Sequence, residues 1–136
     1  MATANALAAR GLRLNPILQP GIYVYCSLPS GADLRGAPLV ATIRETEGLS
    51  VILPEQEAIT RGWQVLFRTA WIQLGLVSAL DAVGLTAKVS ATLAAAGIGC
   101  NMVAGAYHDH VFVPVGRASE ALELLNEIRI NLANKK

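Results

Sequence analysis

Charged side chains are scarce in this chain. Asp, Glu, Lys and Arg make up 15% of its 136 residues, against about a quarter in ordinary soluble domains. Eleven basic and ten acidic residues nearly cancel, leaving a formal net charge of +1. The only lysine cluster is Lys135-Lys136 at the end of the sequence, so the basic stripe of a nucleic-acid binder is missing. A surface poor in charge favours coverage by another subunit, and a homodimer is expected. No apolar run approaches the roughly 18 residues of a membrane-spanning helix, and no membrane association is expected. The opening stretch MATANALAARGLRLNP lacks a basic segment followed by a sustained apolar core, which is unlike a secretion signal. Cysteine is down to Cys26 and Cys100, without CxxC spacing. Two such thiols in apolar surroundings are expected to be reduced and buried, and the expected location is cytoplasmic.

What the chain does have is apolar content, at 53%. That is enough for one core, or for two packed half-domains of roughly 65 residues each. Residues 21–29 alternate, with Ile22, Val24, Cys26 and Leu28 on one side and Tyr23, Tyr25 and Ser27 on the other, the period of a strand. A Gly- and Pro-rich loop follows over 30–38. Residues 39–44 and 49–53 then predict a hairpin, and 54–62 a short helix opened by Pro54. The second part of 63–77 alternates as a strand. Leu85, Val89 and Leu93 recur at helical spacing, predicting a helix over 85–97 stopped by Gly97. Strands are expected at 98–105 and 108–115. A last helix over 119–133 would carry Leu122, Leu125, Ile128 and Leu132, with Ser119 as its cap.

The order in the second half is strand–helix–strand–strand–helix. The first half repeats it with a loop where the first helix would be. Both follow the βαββαβ ferredoxin-like pattern, without visible residue identity between the halves. The expected fold is therefore α+β: two ferredoxin-like modules in tandem, antiparallel sheets, helices on one face. The expected division is a terminal arm over 1–14, a first half over 15–68 and a second over 69–136.

The stretch SALDAVGLTAKVSATLAAAGIGCNMVAGAYHDHVFVPV, residues 78–115, resembles an ACT domain. Its VGLTAKVSATLAAAGI portion carries most of the likeness. The segments ATIRETEGLSVILP and NMVAGAYHDHVFVP further resemble a group of small bacterial tandem-ACT proteins of unassigned function, and arginine sensors of the CASTOR type are distantly similar. The resemblance implies small-ligand binding, usually of an amino acid, at an interface between modules. It implies no enzyme and no cofactor. With no catalytic domain in the sequence, regulation would act in trans on a protein partner.

The residues are compatible with that. The turn before residue 85 delivers the chain into a helix whose first amides are unpaired and partly positive, a ready site for a carboxylate. The carboxylate would meet the amides of Val83, Gly84, Leu85 and Thr86. Asp81 or Asp109 would accept from an ammonium, and Asn101 offers both donor and acceptor. Gly84 is equally a plain turn glycine and Asp81 a plain cap.

The protein's two histidines flank Asp109 in YHDH. On a strand, His108 and His110 share a face about 7 Å apart. They are two ligands of the three or four a zinc ion needs, or an acid–base pair oriented by Asp109. The remaining ligands would have to come from Cys100, Asp81, Asp109 or another subunit, and no second cluster with ligand spacing and no nucleophile motif accompanies the pair. The expected role is a hairpin corner at a pocket rim, with Gly105 in a special backbone conformation, and no metal. A metal-dependent enzyme using His108, Asp109 and His110, and a ligand-free interaction module, remain as alternatives. Trp63, Phe67 and Trp71, spaced four apart, are expected in packing rather than as a stacking platform.

Overall fold

Alternating burial sets the architecture. In a computed structural model of the chain, which describes residues 12–76 and 83–130, the strands are β1 (Leu12–Arg13), β2 (Pro16–Leu18), β3 (Tyr23–Leu28), β4 (Ala41–Glu45) and β5 (Gly48–Pro54), then β6 (Phe67–Leu74), β7 (Asn101–Ala104), β8 (Asp109–Pro114) and β9 (Arg129–Ile130). The helices are α1 (Glu55–Thr60), α2 (Leu85–Ala95) and α3 (Ala118–Glu127).

Seven strands make one antiparallel sheet in the order β4-β5-β3-β6-β8-β7, with β2 also paired to β6. The two ferredoxin-like units are β3-loop-β4-β5-α1 and β6-α2-β7-β8-α3, and they join where β3 pairs β6, Tyr23 opposite Thr69 and Tyr25 opposite Phe67. Along the same edge of β6, β2 continues with Ile17 opposite Gln73. The small ribbon of β1 and β9 ties the first residues described to the last, Leu12 opposite Ile130.

Residues directly opposite in a ladder share a face. Val24, Cys26, Val51 and Leu53 therefore lie on the same side as Ala70, Ile72, Val111 and Val113. That side is covered by the helices: Ala58 of α1 closes the first cluster, and Leu85, Val89, Leu93, Ala121 and Leu125 close the second. The expected helices on one face, with a loop replacing the first module's opening helix, are what the structure has. Arg117 locks the second layer, donating to the Ala96 carbonyl at 3.0 Å and to Glu120 at 2.7 Å. A guanidinium at the end of α2 also suits the negative end of its dipole.

Three expectations are corrected. The last helix stops at Glu127 rather than reaching 133, because Ile128 turns extended (ψ 138°) and the alternation of buried Ile128, exposed Arg129 and buried Ile130 becomes strand β9; residues 131–133, Leu132 included, lie outside the described residues. Ser119 does not cap it, since the helix begins one residue earlier, after a 3-10 turn over Val115–Arg117. The strand expected at 71–77 runs over 67–74 instead, recruited upstream by pairing with β3 and β8.

Leu14, just after β1, is fully buried in the core of the second module, and Leu76 donates its amide to the Leu14 carbonyl at 2.9 Å. The first strands of the chain thus help build the second unit. Leu14→Ala is expected to lower stability by about 3 kcal/mol, the usual cost of emptying a buried leucine site. Urea unfolding measures it, and a loss under about 0.5 kcal/mol, typical of a surface change, would show that this segment is not part of the core.

Candidate functional site

The sequence-predicted residues fall at two places, one on each face of the sheet. Strand direction decides the first. β6 is antiparallel to β8, which is antiparallel to β7, so β6 and β7 run the same way. The turn between β7 and β8 and the start of α2 therefore sit at the same end of the second module. At that end Gly84 is the N-cap of α2, with φ 98°, a conformation glycine adopts at little cost. Among the described residues no side chain caps the helix, and no acidic residue stands in its first turn. The amides of Leu85, Thr86 and Ala87 precede the first intrahelical bond, Lys88 N–H to the Gly84 carbonyl at 3.0 Å, and have no partner inside the helix. Leu85 is buried and offers only its backbone, whereas Val83 is 81% exposed and Thr86 is exposed. Lys88 adds a positive charge in this first turn and makes no ion pair among the described residues. Sequence reasoning passed over it, although a lysine one turn from a predicted helix start is a legible signal.

Asp109 opposes Ala104 and shares its strand face with Val111 and Val113, the helix-covered face. It lies at the end where α2 begins. His108 stands just before β8, and its Nδ1 is buried without a hydrogen-bond partner among the described residues. Asp81 lies outside the described residues.

His110 and Asn101 belong to the opposite, helix-free face. His110 pairs Val103 and Gln73, and Asn101 pairs Phe112. Asn101 is three residues before the hairpin, about 10 Å along the strand from it, and so is apart from the helix start. Trp71 Nε1–H donates to His110 Nδ1 at 3.0 Å. Only an unprotonated Nδ1 can accept, so this bond fixes the neutral tautomer with its proton on Nε2. Burial and then the charge of His108 push the His110 pKa below its ordinary 6.5, with Asp109 pulling the other way.

The hairpin corner expected at GAYHDH is there, but Gly105 does not have a positive φ. Its role is close approach: a Cβ would stand 2.9 Å from the His108 carbonyl oxygen and 3.2 Å from His110 Nε2. Among the described residues no group of three or more His, Cys, Asp and Glu is arranged to hold a metal ion. Trp71 stacks near Phe112, ring centroids 6.1 Å apart, and meets Tyr23 edge-on at 5.1 Å; Trp63 packs on the first module's core instead. Cys26 is buried and Cys100 half-buried, both free, and burial raises both thiols.

One ACT-domain model matches residues 12–70 and a second matches 67–127. The chain belongs to the ACT-domain family, with two such domains in tandem. The tandem chain is 39% identical to a Vibrio cholerae protein of unknown function described as a possible transport protein, over 90% of this chain and 94% of that one, with a TM-score of 0.80. It shares its fold with an Agrobacterium tumefaciens protein (21% identity, 84% and 87% covered, TM-score 0.69). It also shares the fold of the ligand-free regulatory subunit of aspartate kinase from Thermus thermophilus (15%, 81% and 93%, 0.61). Among curated proteins none matches significantly. ACT domains are regulatory modules that bind small molecules, and at that general level this is such a module. No helix among the described residues is long and apolar enough to cross a membrane.

The state of His110 has a measurable consequence. Its folded pKa lies below the unfolded value of about 6.5, so the unfolded chain takes up the proton first as pH falls. The His110 contribution to stability is complete above that pH and is lost as pH drops towards the folded pKa. Between pH 7.5 and pH 5, the wild type is expected to lose more stability in urea than His110→Gln. Equal losses would mean that the Trp71–His110 bond does not discriminate between protonation states.

Proposed function

We propose that this tandem-ACT chain is a sensor of an amino acid or a closely similar small molecule, regulating a protein partner in trans as a homodimer. The observation that carries the reading is an α2 start that no described side chain caps and whose first turn holds no acid, set at the same end of the second module as Asp109 and as His108 Nδ1, which is buried without a hydrogen-bond partner among the described residues. A zwitterion brings the negative charge that the first turn of α2 lacks. Its carboxylate would take the amides of Val83, Gly84, Leu85 and Thr86 with Lys88 beside them, where helix dipole and ammonium act together. Its ammonium would face Asp109, and Asp81 by sequence position. His108 supplies a further polar contact. Asn101 and His110, on the other face, stand outside this arrangement. The regulatory subunits of aspartate kinase, similar in fold, are an analogy that supports regulation by a separate chain.

A thermal-shift screen against the twenty amino acids tests the reading. A ligand at about 100 times its dissociation constant adds roughly 2.7 kcal/mol of stability, a clear upward shift. Lys88→Glu is expected to weaken the selected amino acid about tenfold or more, the equivalent of roughly 1.4 kcal/mol. The absence of a shift with every amino acid, or a shift untouched by Lys88→Glu and Asp109→Asn alike, would overturn it.

A further inference from the structure

Phe112 raises a question that the fold alone does not answer. It is the largest fully buried side chain, yet it sits on the face without helices. Nothing in a two-layer sandwich should cover it. Its ring neighbours are Tyr25 at 6.0 Å and Trp71 at 6.1 Å, and beyond them the sheet itself supplies the cover. A cavity of about 220 Å³ takes its walls from Ala41, Thr42 and Ile43 of β4 and from Asn101, Met102 and Val103 of β7. Those two strands are the opposite edges of the sheet. The sheet therefore curls until its edges face each other across the aromatic floor. A second cavity of about 310 Å³ adjoins the first at Ala41 and Val103 and reaches down to Trp71, Gln73 and His110. Its size is at the lower end of ligand pockets, roughly 300–1,000 Å³.

The chemistry of this cleft is unlike that of the α2 end. No Asp, Glu, Lys or Arg is among the residues lining either cavity. Its one titratable imidazole is held neutral by the Trp71 hydrogen bond, and burial pushes the Tyr25 phenol up to about 12, so it too is neutral. An ionised ligand would leave water and meet no counter-charge, which is costly. What the cleft does offer is a floor of aromatic faces and a few neutral hydrogen-bonding groups. Tyr25 lines the first cavity and His110 the second, each a neutral donor, and the amides of Asn101 and Gln73 stand one in each cavity.

We infer that the cleft between β4 and β7 is a second ligand site, separate from the amino-acid end, and that it takes an uncharged, planar, ring-bearing molecule with an amide-like edge. The ring lies against Tyr25 and Trp71, with the buried Phe112 between them as support, and the edge bonds to the neutral donors and acceptors. Both modules build it, β4 coming from the first and β7 and β8 from the second.

Three probes of one shape and different charge test this: benzamide, benzoate and benzamidinium, titrated into the full chain at pH 7.5. The readout is the indole N–H signal of Trp71 in nitrogen-15 NMR spectra, assigned with Trp63→Phe. Benzamide is expected to shift that signal and to bind at least tenfold more tightly than either ion. Val103→Phe and, separately, Ala41→Phe should fill the cleft and weaken benzamide at least tenfold, while Lys88→Glu leaves it unchanged. Equal binding of all three probes would overturn the inference, as would binding that survives both filled variants. So would the absence of any shift up to the solubility limit. In that last case, sedimentation showing a dimer that Ala41→Phe dissociates would assign the cleft to a second copy of the chain instead. If one filled variant misfolds, the other and the charge series decide.

Discussion

The antiparallel pairing of β3 with β6 is the constraint on which the molecule rests. Two ferredoxin-like units could sit anywhere relative to one another, but a ladder with Tyr23 opposite Thr69 and Tyr25 opposite Phe67 sets register, face and distance together. A slip of one residue would move every side chain to the other face, putting Val24 and Cys26 in water and Tyr25 under a helix. The buried Thr69 hydroxyl donates to the Tyr23 carbonyl at 2.7 Å, so even the polar group at this junction is satisfied by the pairing that it marks. With the junction set, β2 has only the remaining edge of β6 to occupy, and Leu14 is carried into the second core.

From that single register follows the separation of chemistry by face. On the helix side, the ladder alternation ends in Asp109, at the same end of the module as the start of α2, a place where formal charge is present. On the other side it lines up Tyr25, Trp71 and Phe112 and leaves no formal charge at the floor. The scarcity of charged residues in the composition is in this respect informative about one face rather than about the whole surface.

Much of the fold was legible because it depends on local periodicity. The alternation in 21–29, the 85–89–93 spacing and the Gly97 stop each act within a few residues, and each corresponds to an observed element. What was not legible depends on partners far away in the chain. Ile128 reads equally well as part of a helical stripe, and only the pairing of Leu12 with Ile130 draws the chain after it into a strand. Gly105 reads as a turn glycine, but the His108 carbonyl, with the His110 ring beside it, is what excludes a side chain there. For the site, sequence spacing placed His108, Asp109 and His110 in one cluster. That a strand turns Asp109 away from His110 was legible from the period of two, but that Trp71, thirty-nine positions earlier, claims His110 was not. Lys88 was visible in the sequence as a charge in a first turn. The curl that brings β4 to face β7 was not, because it is the summed twist of the ladders between them.

Asp109 and His110 are consecutive on β8, and through them the two proposed sites share one strand. A ligand drawing on Asp109 acts on the backbone that holds His110 against Trp71, and a ring lodged beside His110 acts on the backbone that carries Asp109. Gly105 tightens this link, because the hairpin backbone leaves no slack between the His108 carbonyl and the His110 ring. If occupancy at one face displaces β8, the effect on the other face must be mutual in free energy, whichever ligand binds first. A rigid core strand transmits a small displacement where a loop would absorb it. β8 is such a strand, with Val111, Phe112 and Val113 all fully buried. The position of the charged site and the neutral cleft on opposite faces of this strand is what would let a chain of this size read one molecule in the presence of another.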